Sequence, residues 1–163
     1  MNFVIDSMKP EDWPQISEIY LEGIETGIAT FASQVPTWEE WDSDHTEICR
    51  LVARHGDSIL GWTALSQTSR RHSYAGVAEL SIYVASKSKG LGVGTALLTA
   101  LIEASEQAGY WTLWAGILSD NAASRGLHKK CGFREVGVRE RLGRMDDGTW
   151  HDVVLMERRS GRF

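Results

Sequence analysis

The segment Lys89-Gly90-Leu91-Gly92-Val93-Gly94 constrains this chain more than any other. It stands between an alternating run, Val77 to Ala85, and a run in which Ala96, Leu97, Leu98, Leu101, Ile102 and Ala104 recur at helical period up to Gly109. A strand, a glycine turn and a helix are therefore predicted in immediate succession. The first N–H groups of such a helix have no partner inside it, and glycine leaves them without Cβ shielding. With the positive end of the helix dipole and the charges of Lys87 and Lys89, they suit an anion such as a pyrophosphate. The plainer reading is a helix entry that needs glycine for geometry alone. Two nucleotide-binding patterns are excluded. A dinucleotide fingerprint would open the first βαβ unit with an acidic residue about 20 residues on, and a P-loop would carry Gly-Lys-Ser/Thr after its second glycine.

The 163 residues, 42% hydrophobic and 24% charged, fit one globular domain spanning 1–163. The strand Asn2 to Met8 leads into a helix marked by Trp13, Ile16, Ile19, Tyr20 and Ile24. After a loop, Ile28 to Pro36, Thr37 caps a second helix expected to carry Trp38, Trp41, His45, Ile48, Leu51 and Val52 and to stop near Gly56. Strands at Ser58 to Ser66 and Val77 to Ala85 flank a polar loop, Gln67 to Gly76. Beyond the glycine-led helix come a buried strand, Tyr110 to Leu118, and a short helix, Asn121 to Lys130. Two final strands, Phe133 to Arg141 and Trp150 to Arg158, are joined by a turn at Met145 to Gly148. The order β-α-α-β-β-α-β-α-β-β is that of an α/β or α+β domain with a mixed sheet flanked by helices.

A net charge of −5 argues against nucleic acid as a partner. No apolar run approaches the ~20 residues of a membrane span, and no basic, then apolar, leader pattern opens the chain, so a soluble, cytoplasmic protein without membrane partners is expected. Cys49 and Cys131 read as buried reduced thiols, and no metal is expected, since His45, His55, His72 and His151 lack ligand spacing.

The strand Glu79-Leu-Ser-Ile-Tyr-Val84, the turn Lys89 to Gly94 and the downstream Asn121-Ala-Ala-Ser-Arg-Gly-Leu-His-Lys-Lys-Cys-Gly-Phe133 together resemble the GNAT superfamily of N-acetyltransferases. In that superfamily the turn reads Gln/Arg-x-x-Gly-x-Gly/Ala and holds the pyrophosphate of acetyl-CoA. Lys89 here takes the Gln/Arg place and keeps its positive charge. Within the superfamily the chain is most similar to the phosphinothricin and methionine sulfoximine acetyltransferase branch. The marks are Thr30-Phe31, Arg71-x-x-Tyr74, Ile82-Tyr83-Val84, Leu127-His128 and Gly148-x-Trp150-x-Asp152-Val153. Ala32 departs from the carboxylate that the branch commonly carries after Thr-Phe.

The resemblance implies a mostly antiparallel central sheet and acetyl transfer from acetyl-CoA to the primary amine of a small amino-acid-like acid. It assigns the coenzyme to Ile82, Tyr83, Val84, Lys89, Gly90, Leu91, Gly92, Val93, Gly94, Thr95, Asn121 and Ser124, with the Val84 N–H at the thioester oxygen. Glu79, the one carboxylate of its strand, is cast as general base rather than an exposed strand residue, with a water as possible relay. His128 is cast as a second acid/base group, against the plainer reading of a structural histidine. Asn121 can cap its helix and reach the pantetheine arm together. Arg71 is implied to hold the acid group bidentately, rather than being a solvated charge beside Arg70, with Phe31, Tyr74 and Trp150 around it. A homodimer through the C-terminal strands is implied as well. The alternatives are a GNAT enzyme for a polyamine or a protein N-terminus, and a non-catalytic acyl-CoA-binding module.

Overall fold

The alternating runs become strands of one sheet in the computed structural model, which describes residues 2–163. The strands are β1 (Val4–Ser7), β2 (Leu51–His55), β3 (Ser58–Gln67), β4 (Val77–Val84), β5 (Thr112–Leu118), β6 (Arg134–Arg144) and β7 (Trp150–Arg159). The helices are α1 (Trp13–Glu25), α2 (Trp38–Asp44), α3 (Val93–Gln107) and α4 (Ala122–Lys130). The sheet order is β1-β2-β3-β4-β5-β7-β6, and every neighbouring pair is antiparallel except β4 with β5. The mixed, mostly antiparallel sheet is as expected. Among the described residues no helix is long and apolar enough to cross a membrane.

The second helix is shorter than its apolar spacing suggests. Thr37 starts it as expected, its Oγ1 accepting from the Glu40 N–H at 3.2 Å while its own N–H donates to Glu40 Oε2 at 3.0 Å. It ends at Asp44, and Leu51 to His55 form strand β2 between β1 and β3. Between them Cys49 takes φ +63°, which no helix continues through, and Arg50 pins the loop through Asp42, Thr46 and His45. Val52 and Ala53 are both fully buried, which a strand covered on both faces allows.

Successive residues of β3 serve opposite faces of the sheet. Trp62 and Ala64 pack with Ile16, Ile19 and Trp41 from α1 and α2, whereas Leu65 joins Leu98 and Leu101 of α3. One feature of the pairing then opens the molecule. The parallel strands β4 and β5 are bridged only at Val77–Thr112, Ala78–Leu113 and Glu79–Trp114. Past Glu79 they diverge, β4 running on to Val84 beside β3 and β5 to Leu118 beside β7. The gap between them is the floor of the site.

Candidate active site

Two clefts meet over this gap, one of about 480 Å³ and one of about 400 Å³. Ala29, Ile82, Tyr83, Asn121 and Ser124 line both. The larger contains the glycine turn. Gly90 and Gly92 adopt φ of +79° and +82°, a conformation that glycine takes without strain, and α3 starts directly after them. The first helical hydrogen bond runs from Ala96 N–H to Gly92 O at 3.1 Å, so the N–H groups of Val93, Gly94 and Thr95 remain without a backbone acceptor among the described residues. Lys89 and Lys130 stand at the same cleft.

A polar atom supports an anion here independently. Ser88 is buried and lines this cleft, yet its Oγ has no partner among the described residues. A buried hydroxyl without a partner is costly, and a phosphate oxygen would satisfy it. Glu22, not foreseen from sequence, accepts from the Ser86 N–H at 2.6 Å and ties α1 to the segment entering the turn. Its spacing in α1 marks it only as a polar-face residue. Of the residues expected at the coenzyme, Ile82, Tyr83, Val84, Lys89, Gly90, Gly92, Val93, Gly94, Thr95, Asn121 and Ser124 line this cleft. The Leu91 side chain does not; it is exposed.

Divergence of the strands also frees main-chain donors. Ala85 N–H donates to Leu60 O on β3 at 2.8 Å, so alternation turns the Val84 N–H toward the other edge of β4, where β5 is no longer paired.

The smaller cleft holds Glu79 at the point of divergence, together with His128. Glu79 is part-buried rather than exposed. Burial pushes its carboxyl above the ordinary value, and among the described residues neither a hydrogen bond nor a nearby charge offsets that push. His128 is only 1% exposed, and burial lowers its pKa. Its Nδ1 lies 2.7 Å from the Ser124 carbonyl oxygen, which can only accept, so Nδ1 carries the proton. Its Nε2 is then an unprotonated, buried acceptor without a partner among the described residues. In the resting protein His128 is thus a neutral imidazole with its free lone pair on Nε2, not a proton donor. Asn121 caps α4 as expected, its side chain accepting from the Ser124 N–H at 3.2 Å.

Phe31 walls the smaller cleft from the loop after α1, and its ring occupies the space above Gly143 of β6. A Cβ on that glycine would lie 2.3 Å from the ring. The remaining three expected substrate residues are not brought to this cleft within the chain. Arg71 and Tyr74 belong to an exposed 3-10 turn between β3 and β4, Tyr74 with half its surface in solvent. Trp150 lies between the Arg141 and Arg144 guanidiniums, 5.5 and 5.6 Å from its ring, on the exposed β6–β7 hairpin. Sequence reasoning missed Thr30, Trp114 and Arg139, which do line the cleft. Among the described residues no His, Cys, Asp or Glu group that could hold a metal comes together.

A sheet whose central parallel strands part beside a glycine-led helix, with a carboxylate at the parting, is an architecture this chain shares with acetyltransferases of known structure. The chain belongs to the acetyltransferase (GNAT) family, whose model matches residues 13–133. It is 34% identical over 157 residues to a phosphinothricin N-acetyltransferase of Alcaligenes faecalis, covering 93% of this chain and 79% of that one. It is 35% identical over 99 residues to an L-methionine sulfoximine/L-methionine sulfone acetyltransferase of Pseudomonas aeruginosa, covering 61% and 57% of the two chains. A crystal structure of a GNAT superfamily phosphinothricin acetyltransferase from Sinorhizobium meliloti in complex with AcCoA superposes with a TM-score of 0.88 at 28% identity. That match covers 99% of this chain and 90% of the other.

Proposed function

We propose that this chain, acting as one domain over residues 1–163, transfers acetyl from acetyl-CoA to the primary amine of a small amino-acid-like acid of the phosphinothricin or methionine sulfoximine type. The observation that carries the reading is the meeting of the two clefts at Ile82, Tyr83, Asn121 and Ser124, with unpaired helix N–H groups in one and Glu79 in the other. The names of its relatives support the substrate class. The pyrophosphate would rest on the N–H groups of Val93, Gly94 and Thr95, with Lys89 and the Ser88 hydroxyl beside it.

In this reading Glu79 takes one proton from the substrate ammonium, directly or through a water. The free amine attacks the thioester carbonyl carbon, and the Val84 N–H stabilises the developing oxyanion. The attacking nitrogen then carries a surplus proton, which the lone pair on His128 Nε2 can accept. The carbon–sulfur bond breaks, and the thiolate takes that proton from His128. Glu79 releases the first proton to solvent, so one amide, one thiol and one proton are produced. His128 therefore works as a base first and an acid second.

The long edge strand β6, exposed almost throughout and carrying Val136, Val138 and Leu142, supports a homodimer formed through the C-terminal hairpin. Free thiols at Cys49 and Cys131 accord with a cytoplasmic setting. The test is thiol release from acetyl-CoA with phosphinothricin, methionine sulfoximine, spermidine and an unblocked peptide. The amino-acid analogues are expected to be turned over with the highest kcat/KM. A higher value for spermidine or the peptide refutes the substrate class and leaves the acetyltransferase activity standing.

A further inference from the structure

The amine cleft has one guanidinium of its own, and it is not the one that the sequence motif suggests. Arg139 of β6 lines the cleft with Glu79, whereas Arg71 does not. The other arginines of the hairpin are engaged. Arg134 pairs with Glu157 at 2.5 Å, and Arg141 and Arg144 flank Trp150. Among the described residues Arg139 forms no ion pair. An exposed cation without a carboxylate partner at one part of the cleft lining and a part-buried Glu79 at another give the cleft two poles, one for an acid and one for an ammonium.

The backbone is built to hold it there. Arg139 is paired with Val153, which also lines the cleft, and the register then shifts so that Gly143 is paired with His151. Glu140, Arg141 and Leu142 thus face Asp152 alone. This bulge is fixed by Arg141 at φ +46° and by its N–H donating to Asp152 Oδ1 at 2.7 Å. Bulges re-aim side chains at the rims of sites, and this one leaves both Arg139 and Leu142 lining the same cleft.

We propose that Arg139 receives the acid group of the substrate, binding a carboxylate or phosphinate bidentately while the amine lies toward Glu79. The assignment rests on the amino-acid substrate reading above and gives its specificity a residue. A guanidinium fork matches two acid oxygens, and the apolar wall of Phe31, Trp114, Leu142 and Leu155 receives the rest of a small molecule.

The test compares kcat/KM for methionine sulfoximine with that for the amine left when its carboxyl group is removed, in wild type, Arg139→Gln, Arg139→Lys and Arg71→Ala. Calorimetric acetyl-CoA affinity serves as the check that each variant is folded. Arg139→Gln is expected to reduce the preference for the acid by about 10- to 100-fold, chiefly through KM, and Arg139→Lys to restore part of it. A preference unaltered in folded Arg139→Gln overturns the assignment, and its collapse in Arg71→Ala alone would transfer the role to the β3–β4 turn. A wild type that turns over no amino-acid analogue removes the substrate class and this assignment together. A wild type that does so, with an indifferent Arg139→Gln, removes the assignment alone.

Discussion

Glu79→Gln isolates the base from everything else in the site, because it keeps the shape of the side chain and removes only its ability to take a proton. A positioned general base contributes about 10²- to 10⁴-fold, equivalent to about 2.7 to 5.4 kcal/mol of barrier at 1.36 kcal/mol per decade. The upper half of that range is not expected here, since an amine is itself a good nucleophile once deprotonated and solvent can remove its proton at high pH. A loss of about 10² to 10³ in kcat near pH 7 is therefore expected, shrinking as pH rises. In the wild type, activity should rise with pH through a midpoint above the ordinary glutamate value, because burial lifts Glu79 and only its ionised form is a base. Stability moves the other way. The folded state holds this proton more tightly than the unfolded chain does, so its contribution is fully present below the unfolded value and lost as pH rises through the folded one. Glu79→Gln should thus melt no lower than the wild type at pH 7. Stopped-flow thiol release over pH 6 to 9, with melting curves and acetyl-CoA calorimetry on the same samples, checks all three statements. A variant within threefold of wild-type kcat across that range refutes the role of Glu79 as base.

Gly92→Val places a β-branched residue at φ +82°, where the strain alone is about 1 to 2 kcal/mol, and its side chain enters open space over the helix N-terminus. Acetyl-CoA affinity by calorimetry should fall by more than tenfold, a larger effect than the strain has on the fold, and equal affinity in a folded variant counts against the pyrophosphate site. Gly143→Ala drives a Cβ into the Phe31 ring, costing about 1 to 3 kcal/mol unless the ring swings away, and should raise KM for the amine. Adding Phe31→Ala should then cost less than it does in the wild type, which a double-mutant cycle on melting and KM would read. Burial lowers the pKa of His128, so its contribution to stability is present above the unfolded value near 6.5 and is lost as pH falls below it. His128→Gln should flatten that acid-side loss in melting experiments without abolishing it, because half-buried His45 shifts in the same direction.

The glycine turn and the strand before it were legible because each carries its own local rule. Glycine at positive φ and alternation along β4 are properties of neighbouring residues. Strand β2 was not legible. Ile48, Leu51 and Val52 satisfy helical spacing from Trp41, and the break between them comes from the positive φ of Cys49 and the bonds of Arg50, neither of which a periodicity registers. All but one of the residues expected at the coenzyme line one cleft, because they belong mainly to one contiguous turn and one strand. The residues expected at the amine come together only in part. Phe31, Glu79 and His128 line the cleft, but Arg139 and Leu142 reach it through a bulge in a hairpin whose register no local pattern specifies. Tyr74 and Arg71 matched a motif and fold onto an exposed turn.

This split follows from what acetyl transfer asks of a protein. The thioester, its oxyanion and the pyrophosphate can be met by main-chain N–H groups, so the half of the site that handles the coenzyme depends on backbone geometry: the divergence of β4 from β5 and the start of α3. Side chains there need only be small or leave the amides exposed. The amine has no such universal partner. In the proposed reading its proton goes to Glu79, its acid group to a cation and its side chain to an apolar wall, and the segments that line the cleft are separate: the loop after α1, β4, β5 and the β6–β7 hairpin. A change in the bulge of β6 would move Arg139 and Leu142 together while leaving the Glu79–Val84 strand untouched. Selectivity for the amine can accordingly vary with the hairpin while the chemical step is conserved by the strand. Exchanging the Arg139–Gly143 segment should for that reason alter KM across amines far more than it alters acetyl-CoA affinity.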